Sequence, residues 1–133
     1  MIEALTVMAG GAIGTLLRYW VYIWWTASFG QTFPWSTIIV NVVGSFGIGF
    51  FARLTMAGGL LPTPPLVQLF VMIGIFGGFT TFSTFSLQTL HLAEAGQWME
   101  AGANVAISLV VCLGGVWLGH MAAVGVNALA APK

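Results

Sequence analysis

Hydrophobic and polar positions alternate on a long scale in this chain. Charged residues divide it into wide neutral stretches, with none between Arg18 and Arg53, none between Arg53 and Glu94, and none between Glu100 and Lys133. A helix needs about 20 apolar residues to cross about 30 Å of hydrocarbon, so each stretch is long enough for at least one crossing. Turn-forming residues set the limits within them. The run Ser28-Phe29-Gly30-Gln31-Thr32-Phe33-Pro34 breaks the first stretch, Gly58-Gly59 with Pro62, Pro64 and Pro65 marks a second connection, and Glu94-Ala95-Gly96-Gln97 a third. The pattern predicts four helices, near Ala4–Thr26, Trp35–Met56, Leu66–Leu92 and Ala101–Val124, in one transmembrane domain covering residues 1–133. The fold class is all-α and integral to a membrane.

Composition supports this reading. Hydrophobic residues make up 59% of the 133 positions and charged residues 5%, and the mean hydropathy is +1.00. A soluble domain carries roughly 25% charged residues, so most of this surface must face lipid or protein. Net charge is zero, and Arg18, Arg53 and Lys133 lie too far apart for phosphate binding by a basic cluster. Cys112, the single cysteine, excludes an intrachain disulfide. Met1-Ile2-Glu3 lacks a basic n-region, so no cleaved signal peptide is expected.

Aromatic residues mark the membrane boundary. Tyr19, Tyr22, Trp24, Trp25, Trp35 and Trp98 fall on one face if the chain crosses four times, while Glu3, Arg53, Lys133 and both termini fall on the other. Counting basic residues gives too weak a bias to choose one orientation, so insertion in both orientations stays open.

The small and polar residues inside the spans carry the candidate chemistry. Gly10 and Gly14 in helix one, and Ser45 and Gly49 in helix two, are small-xxx-small pairs that allow close backbone approach. Asn41 sits one turn before Ser45, where a membrane-embedded amide either bonds another helix or lines a polar cavity. Arg18 lies well inside helix one, either as an anchor whose guanidinium snorkels among Trp and Tyr or as an attractor of anions in a vestibule. His91 and His120 lie far apart near helix ends and read as interfacial residues.

Helix three holds Gly74-Ile75-Phe76-Gly77-Gly78-Phe79-Thr80-Thr81-Phe82-Ser83-Thr84-Phe85-Ser86. Two adjacent glycines weaken a helix, and a break is expected near Gly77-Gly78. Unwound backbone at membrane depth must be buried or line a cavity, and its carbonyls suit a cation such as Na⁺. Beyond it, Phe79, Phe82 and Phe85 share one side, and Thr81, Thr84 and Gln88 another. The phenyl stripe is either packing or a row of positive ring edges facing a small anion.

These residues resemble the Fluc (CrcB) fluoride channels along nearly the whole chain. The motifs are Gly10-Gly11-xx-Gly14-xxx-Arg18-Tyr19, Thr37-xxx-Asn41-xx-Gly44-Ser45-Phe46-xx-Gly49 and, most specific, Gly77-Gly78-Phe79-Thr80-Thr81-Phe82-Ser83-Thr84-Phe85. The resemblance implies a passive F⁻ exporter of the cell membrane, an inner membrane in a Gram-negative host, working as an antiparallel dual-topology homodimer with two pores. It assigns the pore to Asn41, the ring edges of Phe82 and Phe85, and a hydroxyl track drawn from Thr81, Ser83 and Thr84. It makes Arg18 a vestibule residue and gives the backbone carbonyls of Gly77 and Thr80 a central structural Na⁺ shared by both subunits. Asn104 stands where many relatives carry Tyr, which leaves that pore wall open, while Ser108 matches the usual pattern. The glycine faces agree with a tight dimer.

Two other classes are set against this one. A small multidrug-resistance-type transporter needs a membrane-embedded carboxylate, but Glu3, Glu94 and Glu100 lie at helix ends or loops and the chain has no Asp. A non-transporting assembly subunit is the other alternative. Enzymatic activity is not expected.

Overall fold

The computed structural model describes residues 1–56 and 58–130, and Lys133, placed by the sequence on the face of the termini, lies outside them. Four stretches are long and apolar enough to cross a membrane: Ile2–Phe29, Trp35–Thr55, Pro65–Glu94 and Trp98–Ala130. The first, second and fourth are the continuous helices α1 (Ile2–Phe29), α2 (Trp35–Thr55) and α6 (Trp98–Ala130). Helices α1 and α6 start earlier and run later than the apolar pattern alone suggested. At about 1.5 Å per residue the 33-residue α6 is about 50 Å long, so its ends extend beyond the hydrocarbon layer.

The third span is composite. A short turn α3 (Pro65–Gln68) leads into a π-helical stretch, Leu69–Phe76, followed by α4 (Gly77–Phe79) and then α5 (Phe82–Glu94). Thr80 and Thr81 between α4 and α5 are extended, at φ −80°, ψ 159° and φ −153°, ψ 114°. Gly77 and Gly78, where the break was expected, are themselves helical, and the non-helical residues lie just beyond them. The wider winding of Leu69–Phe76 has no counterpart in the sequence pattern, and such windings are often found next to functional sites.

The helices pack in two closely fitted pairs. Helix α2 lies chiefly against α6, and α1 lies chiefly against the π-helical stretch and α4, with α5 completing the contact to α6. Glycine makes both approaches possible. A Cβ on Gly14 would collide with the carbonyl oxygen of Ile75, and one on Gly119 with that of Phe46. Added Cβ atoms on Gly10 and Gly49 would likewise meet backbone, from Phe70 and Val116. These small faces are therefore filled within one chain, and they do not argue for a second copy. Large apolar side chains such as Leu5, Trp20, Val110 and Trp117 are exposed instead, as lipid contact requires.

Two tethers secure the ends. In the loop after α1, the Gln31 amide donates to the Tyr22 hydroxyl and to Thr26 Oγ1. On the opposite face the Leu60 N–H donates to Asn127 Oδ1 at 2.9 Å, tying the loop after α2 to the far end of α6.

The glycine contacts make a direct prediction. Gly14→Ala places a methyl group against backbone that cannot turn aside, and is expected to destabilise the folded protein by about 1–3 kcal/mol. Gly102→Ala, whose added Cβ meets nothing within 4 Å, should be neutral or stabilising. Thermal unfolding of the two variants in detergent separates these outcomes, and equal melting temperatures would contradict the packing described.

Candidate ion pathway

A helix that stops at Phe79 and restarts at Phe82 leaves backbone groups without their usual i+4 partners. Asn41, forty residues away on α2, meets two of them at once. Its Oδ1 accepts from the Thr81 N–H at 2.7 Å, and its Nδ2 donates to the Thr81 carbonyl at 3.1 Å. A carboxamide presents the same donor and acceptor pair as a peptide group, so Asn41 pairs with Thr81 as a neighbouring strand would. One Nδ2 hydrogen of Asn41 remains after this pairing.

Thr81 then starts the next helix. Its Oγ1 caps α5 by accepting from the Thr84 N–H at 3.2 Å, and it also donates to Thr84 Oγ1 at 3.0 Å. Ser83 Oγ lies 3.3 Å from the same hydroxyl. Thr81, Ser83 and Thr84 thus form a bonded cluster of hydroxyls around the α5 N-terminus, with Thr81 buried, Thr84 half-buried and Ser83 exposed.

These diversions release two carbonyls. The N–H groups that would reach Gly77 and Thr80 in a continuous helix belong to Thr81 and Thr84, and they donate to Asn41 Oδ1 and Thr81 Oγ1 instead. The carbonyl of Phe76, by contrast, accepts both the Thr80 N–H at 3.0 Å and the Thr80 hydroxyl at 2.9 Å. Gly77 is exposed on the surface of the single chain.

Two cavities meet at Thr81. One, of about 330 Å³, is lined by Asn41, Thr80, Thr81, Phe82, Phe85 and Ser108, with Gly77, Ser45, Met72 and Cys112 also on its wall. Phe85 is buried and Phe82 is 74% exposed, and their rings lie 5.2 Å apart at 51°. The other, of about 360 Å³, is lined by Arg18, Tyr19, Thr37, Thr81 and Thr84 among others. Arg18, which the sequence left between anchor and vestibule, borders the same space as the hydroxyl cluster. Thr15, Ser36 and Tyr22 share that wall.

Helix α6 contributes Asn104 and Ser108. Asn104 is 1% exposed and donates through Nδ2 to Thr89 Oγ1 at 2.8 Å, which in turn donates to the Phe85 carbonyl at 2.8 Å. This relay holds the backbone behind the Phe85 ring. Asn104 does not line the cavity of Phe82 and Phe85, whereas Ser108, one turn on, does. Asn104 Oδ1 and Ser108 Oγ are buried with no hydrogen-bond partner among the described residues.

The structure therefore gathers Asn41, Thr81, Phe82, Phe85 and Ser108 at one cavity, Arg18 and Thr84 at its neighbour, and sets Asn104 behind the wall. Ser45, Met72 and Cys112 on the cavity wall, and Thr89 behind it, were missed. Ser45 and Met72 are at positions where pairing across helices, rather than spacing along one, decides what they touch. Thr89, one turn past Phe85, carries a signal only once Asn104 is known to face it. Among the described residues, no group of three or more His, Cys, Asp and Glu side chains comes together to hold a metal ion.

A family model described as CrcB-like protein, Camphor Resistance (CrcB), matches residues 5–120. The chain is 54% identical over 125 residues to a protein of Opitutus terrae named Fluoride-specific ion channel FluC, covering 94% of this chain and 95% of that one. Proteins of the same name from Methylocella silvestris and Rhodospirillum rubrum are 50% and 52% identical, over 125 and 123 residues. Those alignments cover 94% and 92% of this chain, and 95% of each relative.

The amide pairing can be tested on its own. Asn41→Leu leaves the Thr81 N–H and carbonyl unpaired at membrane depth, at about 1–3 kcal/mol each. Amide hydrogen exchange at Thr81 should then accelerate and the melting temperature fall. Unchanged protection of Thr81 would show that Asn41 does not hold the interruption.

Proposed function

The chain belongs to the CrcB-like family, and from that premise we propose that it is a fluoride-selective channel that lets F⁻ leave the cell passively, down its gradient. The relatives matched are named as ion channels rather than enzymes. The observation that carries the reading is a cavity at an interrupted span, walled by an amide, hydroxyls, the rings of Phe76, Phe82 and Phe85 and, among the described residues, by no charged side chain.

Fluoride holds its hydration shell tightly, so a selective pore must replace water with hydrogen-bond donors and partial positive charge. The remaining Asn41 Nδ2 hydrogen, the Ser108 hydroxyl and the positive edges of Phe82 and Phe85 supply these without fixing a full opposite charge beside the ion. Binding is then strong enough to strip water and weak enough to release the ion. From this cavity F⁻ moves past Thr81 toward Thr84, with Ser83 at the exposed side, and Arg18 raises the local anion concentration in the adjoining space.

The working unit is an antiparallel, dual-topology homodimer with two pores. Two features favour it. Phe82 lies on the open side of its cavity with 74% of its surface uncovered, which a second copy would close. Lys and Arg are too few to impose one orientation.

The released carbonyls of Gly77 and Thr80 fit a hard, weakly charged cation, because both are neutral oxygen donors freed of their helical partners. Na⁺ held by these two oxygens and their counterparts in a second copy would supply a fixed positive charge near the anion path. Asn41 and Thr81 contribute to that site by keeping both oxygens free.

Protein in liposomes is expected to release F⁻ and retain Cl⁻, and comparable Cl⁻ release would overturn the assignment. Phe85→Ile should cut F⁻ release by at least about tenfold, the cost of roughly 1.4 kcal/mol of lost ion stabilisation, while the dimer still elutes intact. Unaltered flux in Phe85→Ile and Phe82→Ile would remove the ring edges from the path.

Replacing Na⁺ with a large organic cation on both sides should depress flux, and adding Na⁺ back should restore it. Indifference to the exchange would remove the proposed cation site.

A further inference from the structure

A third cavity, of about 280 Å³, lies at the aromatic face of the membrane, away from Phe82 and Phe85. Residues from α1, the following loop, the start of α2, α5 and the linker to α6 enclose it, including Tyr22, Gln31, Ser36, Gln88, His91 and Gln97. Its wall is far richer in hydrogen-bonding side chains than that of the phenyl-lined cavity. Tyr22 and Ser36 also line the cavity of Arg18, Thr81 and Thr84, so the two spaces share a wall. Thr81 in turn borders the cavity of Asn41 and Phe85, so three adjoining cavities, the last the most polar, run from mid-membrane to this face.

The third cavity presents both donors and acceptors. Gln31 Nε2 donates to the Tyr22 hydroxyl oxygen, which leaves the phenolic hydrogen free to point elsewhere. Ser36 is 7% exposed and borders both spaces. Gln88 Oε1 is a buried acceptor with no partner among the described residues, which calls for a donor such as water there, while the amide's Nε2 hydrogens are the groups it can offer an anion. His91 lies one turn beyond Gln88 on α5 and adds the one side chain of the wall whose type changes charge between about pH 5 and pH 8.

We propose that this cavity is a capture site for a small, partly hydrated monovalent anion. Tyr22, Ser36 and Gln88 form its donors and His91 its adjustable charge, and it feeds F⁻ to Thr84 and Thr81. The proposal deepens the channel reading and rests on it. Protonating His91 puts a positive charge at the mouth and speeds anion capture, most strongly at low salt where such a charge is felt across several ångströms. The other ionisable groups around His91 are few. Tyr22 faces it from α1, Arg18 lies in the adjoining cavity, Glu94 follows one turn later on α5, and Glu100 sits in the first turn of α6. Glu94 and Glu100 are both exposed.

The test is F⁻ release from liposomes holding the full-length protein. Each measurement is made at equal pH on both sides, between about pH 8 and about pH 5.5, with the leak of protein-free vesicles subtracted. Flux through the wild type should rise about twofold or more toward the acid end, and the rise should shrink when ionic strength goes from about 0.01 to about 0.15 M. His91→Gln should flatten the profile. His91→Lys, with a permanent charge, should flatten it at the high level, which separates loss of charge from loss of fold. Gln88→Leu should lower flux at every pH. A wild-type profile that is flat, or one that keeps its slope in His91→Gln, would overturn the capture site while leaving the channel reading intact. Absence of F⁻ release at every pH would instead overturn the channel reading beneath it.

Discussion

The side chain of Asn41 against the backbone of Thr81 is the contact on which the rest of the site depends. A helix interrupted inside a membrane must find partners for the groups it frees, and water is not at hand to supply them. One carboxamide on α2 meets both groups of the one residue that needs it most. From this follow the start of α5 at Phe82, the cap made by Thr81 on Thr84, and the release of the Gly77 and Thr80 carbonyls. Phe82 and Phe85, two of the cavity's phenyl rings, sit in the first turn after the interruption, so their placement is inherited from the same pair.

Charge is nearly absent from this arrangement, and that scarcity shapes how an ion can be handled. In the proposed channel, a fixed Lys or Arg beside the phenyl rings would hold F⁻ too firmly to let it pass, whereas amide, hydroxyl and ring-edge contacts would divide the task among several weak donors. Arg18 stands one cavity away, where in the proposed channel its charge would gather anions without sitting where they must be released. A carboxylate in this region would repel the ion, and Glu3, Glu94 and Glu100 all lie at helix ends or close to them.

Much of this could be read from the chain itself, because the strongest signals are local. Gaps between charges and the Gly and Pro clusters located all four spans, and the motif around Phe82 placed the phenyl and hydroxyl residues together. What escaped depends on contacts between segments distant in sequence. The interruption falls at Thr80 and Thr81, just beyond the glycine pair, where a partner forty residues away takes the Thr81 N–H. Glycine spacing announced close neighbours but not which ones. Gly10 and Gly14 meet the third span of their own chain. Asn104, whose place in a pore wall the sequence left open, faces Thr89 behind Phe85, a pairing that no periodicity within α6 encodes. The π-helical winding of Leu69–Phe76 likewise has no local signature.

The central claim is that a path without fixed charge conducts F⁻ and excludes larger anions. Its most direct test is the reversal potential of the purified protein in a planar bilayer with F⁻ on one side and Cl⁻ on the other. The account predicts a current that reverses near the equilibrium potential of F⁻ and ignores the Cl⁻ gradient. A reversal potential midway between the two ions, or one that follows Cl⁻, would contradict it.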